Sequence, residues 1–174
     1  MKQPIKRKIY ASNEILSIAQ YLPSDTKMDY ECWQETETQK GYNYIIKDNF
    51  DEFSGRKRNH RLYAAVTLND ETQTLIGFIM LSPPDGLPDL CIRILKAYHG
   101  FGYGSSAFAL ATDYCVNSLG HDKIYAGCYE TNNVSKKMLL KCGYVPHPDG
   151  DISSIDVFSE EKITQYDYVF ENSK

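Results

Sequence analysis

A chain of 174 residues, 42% apolar and 24% charged, has the size and balance of a single folded domain, 1–174, with a real core. It holds no apolar run near the ~20 residues that cross a bilayer. A net charge of −4 argues against a direct nucleic-acid partner. The five cysteines (Cys32, Cys91, Cys115, Cys128 and Cys142) are widely spaced without a C-x-x-C pair, and the four histidines are scattered. That pattern excludes a disulfide framework, gives no metal site, and suits a reducing, cytoplasmic setting.

The start, "MKQPIKRKIYASNE", is basic, but no apolar segment follows it, so it is not read as a secretory signal. "SNEILSIAQYL" (12–22) predicts a helix closed by Pro23, and "MDYECWQETETQKGYNYII" (28–46) a second helix broken near Gly41. "DEFSGRKRNHR" (51–61) reads as a polar loop. "LYAAVTL" (62–68) and "LIGFIML" (75–81) flank a short polar turn and predict an antiparallel hairpin, with Gly77 marking a bulge or a close backbone approach. After the break "SPPDGLP", "DLCIRIL" (89–95) predicts a third strand. Leu90, Ile92 and Ile94 fall on one face of it, and Cys91, Arg93 and Leu95 on the other.

"SSAFALATDYCVNSLG" (105–120) predicts a helix with Phe108, Ala111, Cys115 and Leu119 on one stripe. "DKIYAGCYE" (122–130) is a strand. "NNVSKKMLLKCG" (132–143) is a helix with an Asn cap, Gly143 at its end, and Val134, Met138 and Cys142 on its apolar face. "YVPH" begins a further strand, "PDGDISS" is a loop, and "TQYDYVF" (164–170) is a last strand. The order predicts an α/β (α+β) layered fold.

Between the third strand and the helix lies "AYHGFGYGSSAF" (97–108), with glycines at 100, 102 and 104. A strand that turns through glycines into a helix leaves the first helical N–H groups unpaired, and those groups with the helix dipole favour an anion. A P-loop is excluded, because no lysine follows Gly104. The dinucleotide fingerprint needs a third glycine where Ser105 stands, and no acidic residue closes the next strand at the usual spacing.

"HGFGYG" (His99–Gly104), followed one strand later by "NNVSKKMLLKCGY" (Asn132–Tyr144), resembles the GNAT superfamily of N-acetyltransferases. That family carries Gln/Arg-x-x-Gly-x-Gly/Ala after a strand, then Asn-x-x-Ser/Ala and a Gly-Phe/Tyr pair. "CWQETETQKGYN" and "VSKKMLLKCGYV" are similar to the branch that acetylates ribosomal-protein N-termini. The resemblance implies a mixed, mostly antiparallel sheet flanked by helices, with a splayed strand pair that holds acetyl-CoA. The pyrophosphate would rest on the N–H groups of Gly100, Phe101, Gly102, Tyr103, Gly104 and Ser105. His99 replaces the usual Gln/Arg, and is either a phosphate contact or a solvated loop residue. The pantetheine arm would pair with the strand edge at Ile94, whose N–H polarises the thioester carbonyl. Asn132 and Ser135 would touch the arm, cap the second helix, or both. Lys136, Lys137 and the basic loop "GRKRNHR" would either reach the ribose phosphate or stay solvated.

The acceptor implied is a primary amine, on a peptide N-terminus or a small molecule, attacking the thioester directly. Glu130 and Asp89 are the candidate bases. Many members of the family place a tyrosine, as proton donor to the sulfur, where this chain has Leu139. Tyr144, Tyr129 or a water would then have to serve, and Cys142 is read as core. A CoA-binding sensor without turnover is the alternative, and a homodimer stays open.

Overall fold

A computed structural model describes residues 6–173. The first sheet is antiparallel throughout, in the order β1 (Ile9–Ser12), β2 (Leu16–Gln20), β3 (Leu62–Leu68), β4 (Leu75–Leu81), β5 (Leu90–Ile94). The second is built on β9 (Lys162–Glu171), which pairs with β6 (Lys123–Tyr129), β7 (Val145–Pro146) and β8 (Ile152–Ile155). Helices α1 (Thr26–Gln34), α2 (Thr36–Tyr42) and the short α3 (Phe50–Ser54) lie between β2 and β3 in the chain. Helix α4 (Tyr103–Asn117) joins β5 to β6, and α5 (Asn133–Lys141) follows β6. No described helix is long and apolar enough to cross a membrane. The mixed α/β architecture, with an antiparallel five-stranded sheet flanked by helices, is the one expected.

Helix α4 is the centre of the core. Ala107, Phe108, Ala111 and Cys115 are fully buried and pack with Ile18, Val66, Ile79 and Leu90 of the first sheet and Ile124, Ala126 and Tyr168 of the second. Burying each large apolar side chain stabilises the fold by about 1.5–3 kcal/mol. Leu119 drops off the predicted stripe because the helix ends at Asn117.

The expected helix over 12–22 is instead the end of β1, a turn and β2. Leu16, Ser17, Ile18 and Ala19 are all buried, because β2 lies between two strands and is covered on both faces. A strand of that kind loses its period-two signature. Asn13 accepts the N–H groups of Ile15 and Leu16, so the polar residues at the start of this stretch close a turn instead of opening a helix. On α5 the predicted face is misphased. Val134 is 81% exposed, and Leu139 is the buried residue, flanked by partly covered Met138 and Cys142. The loop "DEFSGRKRNHR" contains α3, opened by a reciprocal Asn49–Glu52 capping box. "PDGDISS" contains most of β8, in register with β9.

Both readings of Gly77 hold. The β3–β4 register shifts beside it, between Val66 and Thr67, and a Cβ there would collide with the Arg93 carbonyl. Beneath the sheet, buried Arg93 pairs with buried Asp29 of α1. Asp29 also accepts from the hydroxyls of Tyr63, at 2.7 Å, and Tyr21, at 3.1 Å. The Arg93 guanidinium lies 4.2 Å from the Trp33 ring centroid. This network fixes α1, and through it α2, over the face of β5 that carries Cys91 and Arg93.

Candidate active site

Hydrogen-bond parity along β5 opens the site. Leu95 N–H donates to Ile76 O, and Ser82 N–H to Asp89 O, each at 2.9 Å. With the β4–β5 register, odd-numbered residues of β5 therefore bond to β4. The N–H and C=O of Ile92 and Ile94 point the other way, toward β6. On β6, Glu130 N–H donates to Thr164 O, so the even-numbered residues bond to β9 and the backbone of Gly127 and Tyr129 faces β5. The two edges meet at a parallel bridge between Asp89 and Tyr125, where Tyr125 N–H reaches Pro88 O at 2.9 Å. Beyond it they part. The gap widens into a cleft of about 1050 Å³ lined by both strands.

The cleft has two mouths. Ile92 and Ile94 turn their side chains toward α4, and on that side Gly104, Ser105, Asn132, Ser135 and Met138 line it. Asp89, Cys91 and Arg93 face α1 and α2. On that side the lining includes Thr38, Tyr42, Asp89, Tyr129 and Gln165. Both sides open onto the same gap beside Ile92.

At the α4 mouth, Gly100 and Gly102 have φ of +83° and +80°, a region other residues enter at a cost of roughly 1–2 kcal/mol. A Cβ on either would meet no atom within 4 Å, so the space over the loop is open. His99 N–H donates to Lys96 O, and Ser106 N–H to Gly102 O. The N–H groups between them, from Gly100 to Ser105, find no acceptor among the described residues. With the dipole of a 15-residue helix behind them, they form a concave donor surface for an anion.

The His99 ring turns back to its own strand, with Nε2 2.6 Å from Ile94 O. A carbonyl only accepts, so that nitrogen carries the proton, and the ring is engaged with Ile94 rather than with a loop anion. Asn132 Oδ1 accepts Ser135 N–H at 3.1 Å and caps α5, and both residues line the cleft. Lys137 and Lys141 line it too. The basic loop is committed elsewhere. Arg56 pairs with Asp48, Arg58 reaches Asp29 and the Tyr21 ring, and Arg61 is wrapped by the carbonyls of Pro83, Pro84 and Gly86.

Of the two carboxylates, Asp89 lines the cleft and Glu130 does not. Burial, and then the nearby Asp167 carboxylate, push the Asp89 carboxyl up to about 7. Glu130 is exposed and accepts the Thr164 N–H at 2.9 Å. Tyr144 is buried away from the cleft, its hydroxyl 2.8 Å from Thr112 Oγ1. Cys142 is partly buried, its thiol donating to Ser105 O at 3.5 Å. Leu139, at the position where the resemblance expects a tyrosine, is 1% exposed.

Four residues escaped the sequence reading: Ile92, whose edge matches that of Ile94; Tyr42; Asp29, which anchors Arg93; and Asp167, beside Asp89. Alternation along β5 was the available signal for Ile92. The other three depend on contacts across 50 to 78 positions of the chain and left no local pattern.

The family model for an acetyltransferase (GNAT) domain matches residues 8–145. No curated protein sequence matches the chain. Among solved structures, a GNAT-family acetyltransferase from Bacillus anthracis superposes with a TM-score of 0.76 at 18% identity, covering 94% of this chain and 99% of that one. Spermidine N-acetyltransferase from Vibrio cholerae, in complex with CoA and spermine, gives 0.80 at 18%, with 93% and 98% covered. A candidate ribosomal-protein-serine acetyltransferase from Vibrio cholerae gives 0.68 at 16%, with 97% and 99% covered. At these identities the structures speak to the fold, while the family model spans most of the sequence: the chain belongs to the GNAT acetyltransferases.

Proposed function

We propose that this protein transfers an acetyl group from acetyl-CoA to a primary amine by direct attack. One observation carries the reading: a row of unpaired backbone N–H groups, Gly100 to Ser105, stands at the mouth of an unzipped strand edge. The row suits a diphosphate, and the unpaired N–H groups of Ile92 and Ile94 on β5 suit the amide carbonyls of a pantetheine arm laid alongside as an extra strand. Ser135 and the capping Asn132 border the same path. Both the Ile92 and Ile94 N–H groups face the gap. In this reading Ile94, nearer the loop, holds the arm or the thioester carbonyl, and Ile92 serves the carbonyl if the arm lies deeper. An N–H aimed at the oxygen where charge develops lowers the barrier to attack.

Asp89 is the base in this reading, and Glu130 is dropped from that role. A carboxylate poised near 7 takes a proton from an ammonium of pKa ~8 at little cost, whereas a lysine or polyamine nitrogen near 10.4 lies about three units higher. The match favours an α-amine, on a peptide N-terminus or a small molecule, over an ε-amine. The Vibrio cholerae proteins above, named for spermidine and for a ribosomal protein, represent the two acceptor types to be compared.

The test is free-thiol release from acetyl-CoA with a panel of peptide α-amines, polyamines and lysine derivatives, alongside calorimetric titration with CoA. Amine-dependent release, fastest with α-amines, is expected. Tight CoA binding with no amine-dependent release from any of the panel would put a CoA-binding sensor in place of the enzyme.

A further inference from the structure

Acetyl transfer leaves a sulfur that must take up a proton. A thiol of pKa ~8.5 departing as thiolate at pH 7 is uphill by about 1.5 units. Leu139, on the α5 wall, has nothing to donate, and Tyr144 is buried away from the cleft, against Thr112. The opposite wall supplies a hydroxyl. Tyr42 is the last residue of α2. Its ring packs edge-on against Trp33 with centroids 5.0 Å apart, and its hydroxyl donates to the Ile92 carbonyl at 2.8 Å. By the parity of β5 that carbonyl points into the gap, so the atom that holds the Tyr42 hydroxyl lies on the edge where a thioester would be laid.

Resting on the acetyl-transfer reading, we infer that Tyr42 is the catalytic proton donor to the departing sulfur. Two features of its placement support it. Tyr42 lines the cleft. It is held by a directed hydrogen bond rather than by packing alone. Its phenol, like any tyrosine's, is protonated at neutral pH, and burial and then the neighbouring Cys91 hold it above the usual value. Tyr129 lines the same mouth, but no hydrogen bond to its hydroxyl occurs among the described residues. The Cys91 thiol, pushed up to about 11 by burial and then by Asp89, sits beside Tyr42.

The protons balance as follows. Asp89 takes one from the incoming ammonium. The neutral amine attacks the thioester carbon, forming the C–N bond and placing charge on the carbonyl oxygen. When the carbonyl re-forms, the C–S bond breaks and its electron pair leaves on sulfur. The Tyr42 O–H gives its proton to that sulfur, releasing CoA as the thiol. The phenolate recovers a proton from the nitrogen of the intermediate, which becomes the neutral amide, and Asp89 returns its own to water.

Tyr42→Phe keeps the ring against Trp33 and removes only the hydroxyl. The assay compares wild type, Tyr42→Phe and Tyr129→Phe, each with the best acceptor found for the wild type. Two donors are used: acetyl-CoA, and an acetyl thioester of a nitrothiophenol, whose thiolate leaves unaided. With acetyl-CoA, kcat of Tyr42→Phe should fall about tenfold or more, with KM and CoA affinity within twofold of wild type. With the activated thioester it should match wild type, and Tyr129→Phe should lose little with either. An unchanged kcat, an equal loss on both donors, or a selective loss in Tyr129→Phe instead overturns the assignment while leaving acetyl transfer standing. A wild type that releases no thiol with any amine overturns both.

Discussion

Replacing Asp89 with Asn tests the chemistry and the electrostatics together. Asn has nearly the same shape and cannot titrate. In the wild type, the acid limb of kcat/KM should have its midpoint at about 7, where the Asp89 carboxyl ionises. In Asp89→Asn only amine that is already neutral can react, so the midpoint should move to the acceptor's own pKa, ~8 for an α-amine or ~10.4 for a lysine. At pH 7 the corresponding losses are about tenfold and more than a thousandfold, which also reads out the acceptor class. Stability should change in a pH-dependent way. The folded carboxyl is raised from 3.8 to about 7, so the folded state holds this proton more tightly than the unfolded chain. The contribution is fully present below pH ~4 and is lost as pH rises through 7. Roughly three units at 1.36 kcal/mol each make ionised Asp89 cost up to about 4 kcal/mol above pH 7. Urea denaturation should therefore find Asp89→Asn more stable than wild type at pH 8 by a large part of that amount, and nearly equal to it at pH 4. An unmoved acid limb would remove Asp89 as the base, and a stability gain independent of pH would refute the account of its burial.

Gly102→Val forces a β-branched residue to φ +80° and projects it into the open space above the N–H row. CoA affinity by calorimetry should drop at least about tenfold, as expected when positioning contacts are lost, while the circular dichroism spectrum stays native. Retained affinity would move the pyrophosphate elsewhere. Asp29→Ala leaves Arg93 buried and uncompensated, which should cost about 3–5 kcal/mol in chemical denaturation. The double variant Asp29→Leu/Arg93→Met should recover most of that loss. If it does not, the pair does more than compensate charge.

The glycine loop, the α5 cap and the strands from Leu62 onward other than β8 were legible in the residues themselves because each is a local matter: a positive φ that glycine alone takes without strain, an Asn that accepts an N–H three residues on, an alternation of period two. The same local rules misled where coverage came from afar. Strand β2 is apolar on both faces because β1 and β3 flank it and other layers cover it, and the α5 stripe shifted from Val134 to Leu139 because the sheet, not the helix, chooses which side is buried. Choosing between Asp89 and Glu130 was beyond sequence for the same reason. Both are carboxylates at strand ends, and only the folded chain buries one beside Asp167 in the cleft and hands the other a Thr164 N–H. Tyr42 meets Ile92 across 50 positions, a contact no periodicity encodes. Sequence alone thus determined where a row of unpaired N–H groups stands before a helix, since that needs only a turn and a helix end. Which strand edge stays unpaired, and which acid and which hydroxyl stand beside it, were decided by tertiary structure, because burial and hydrogen-bond parity are properties of neighbours.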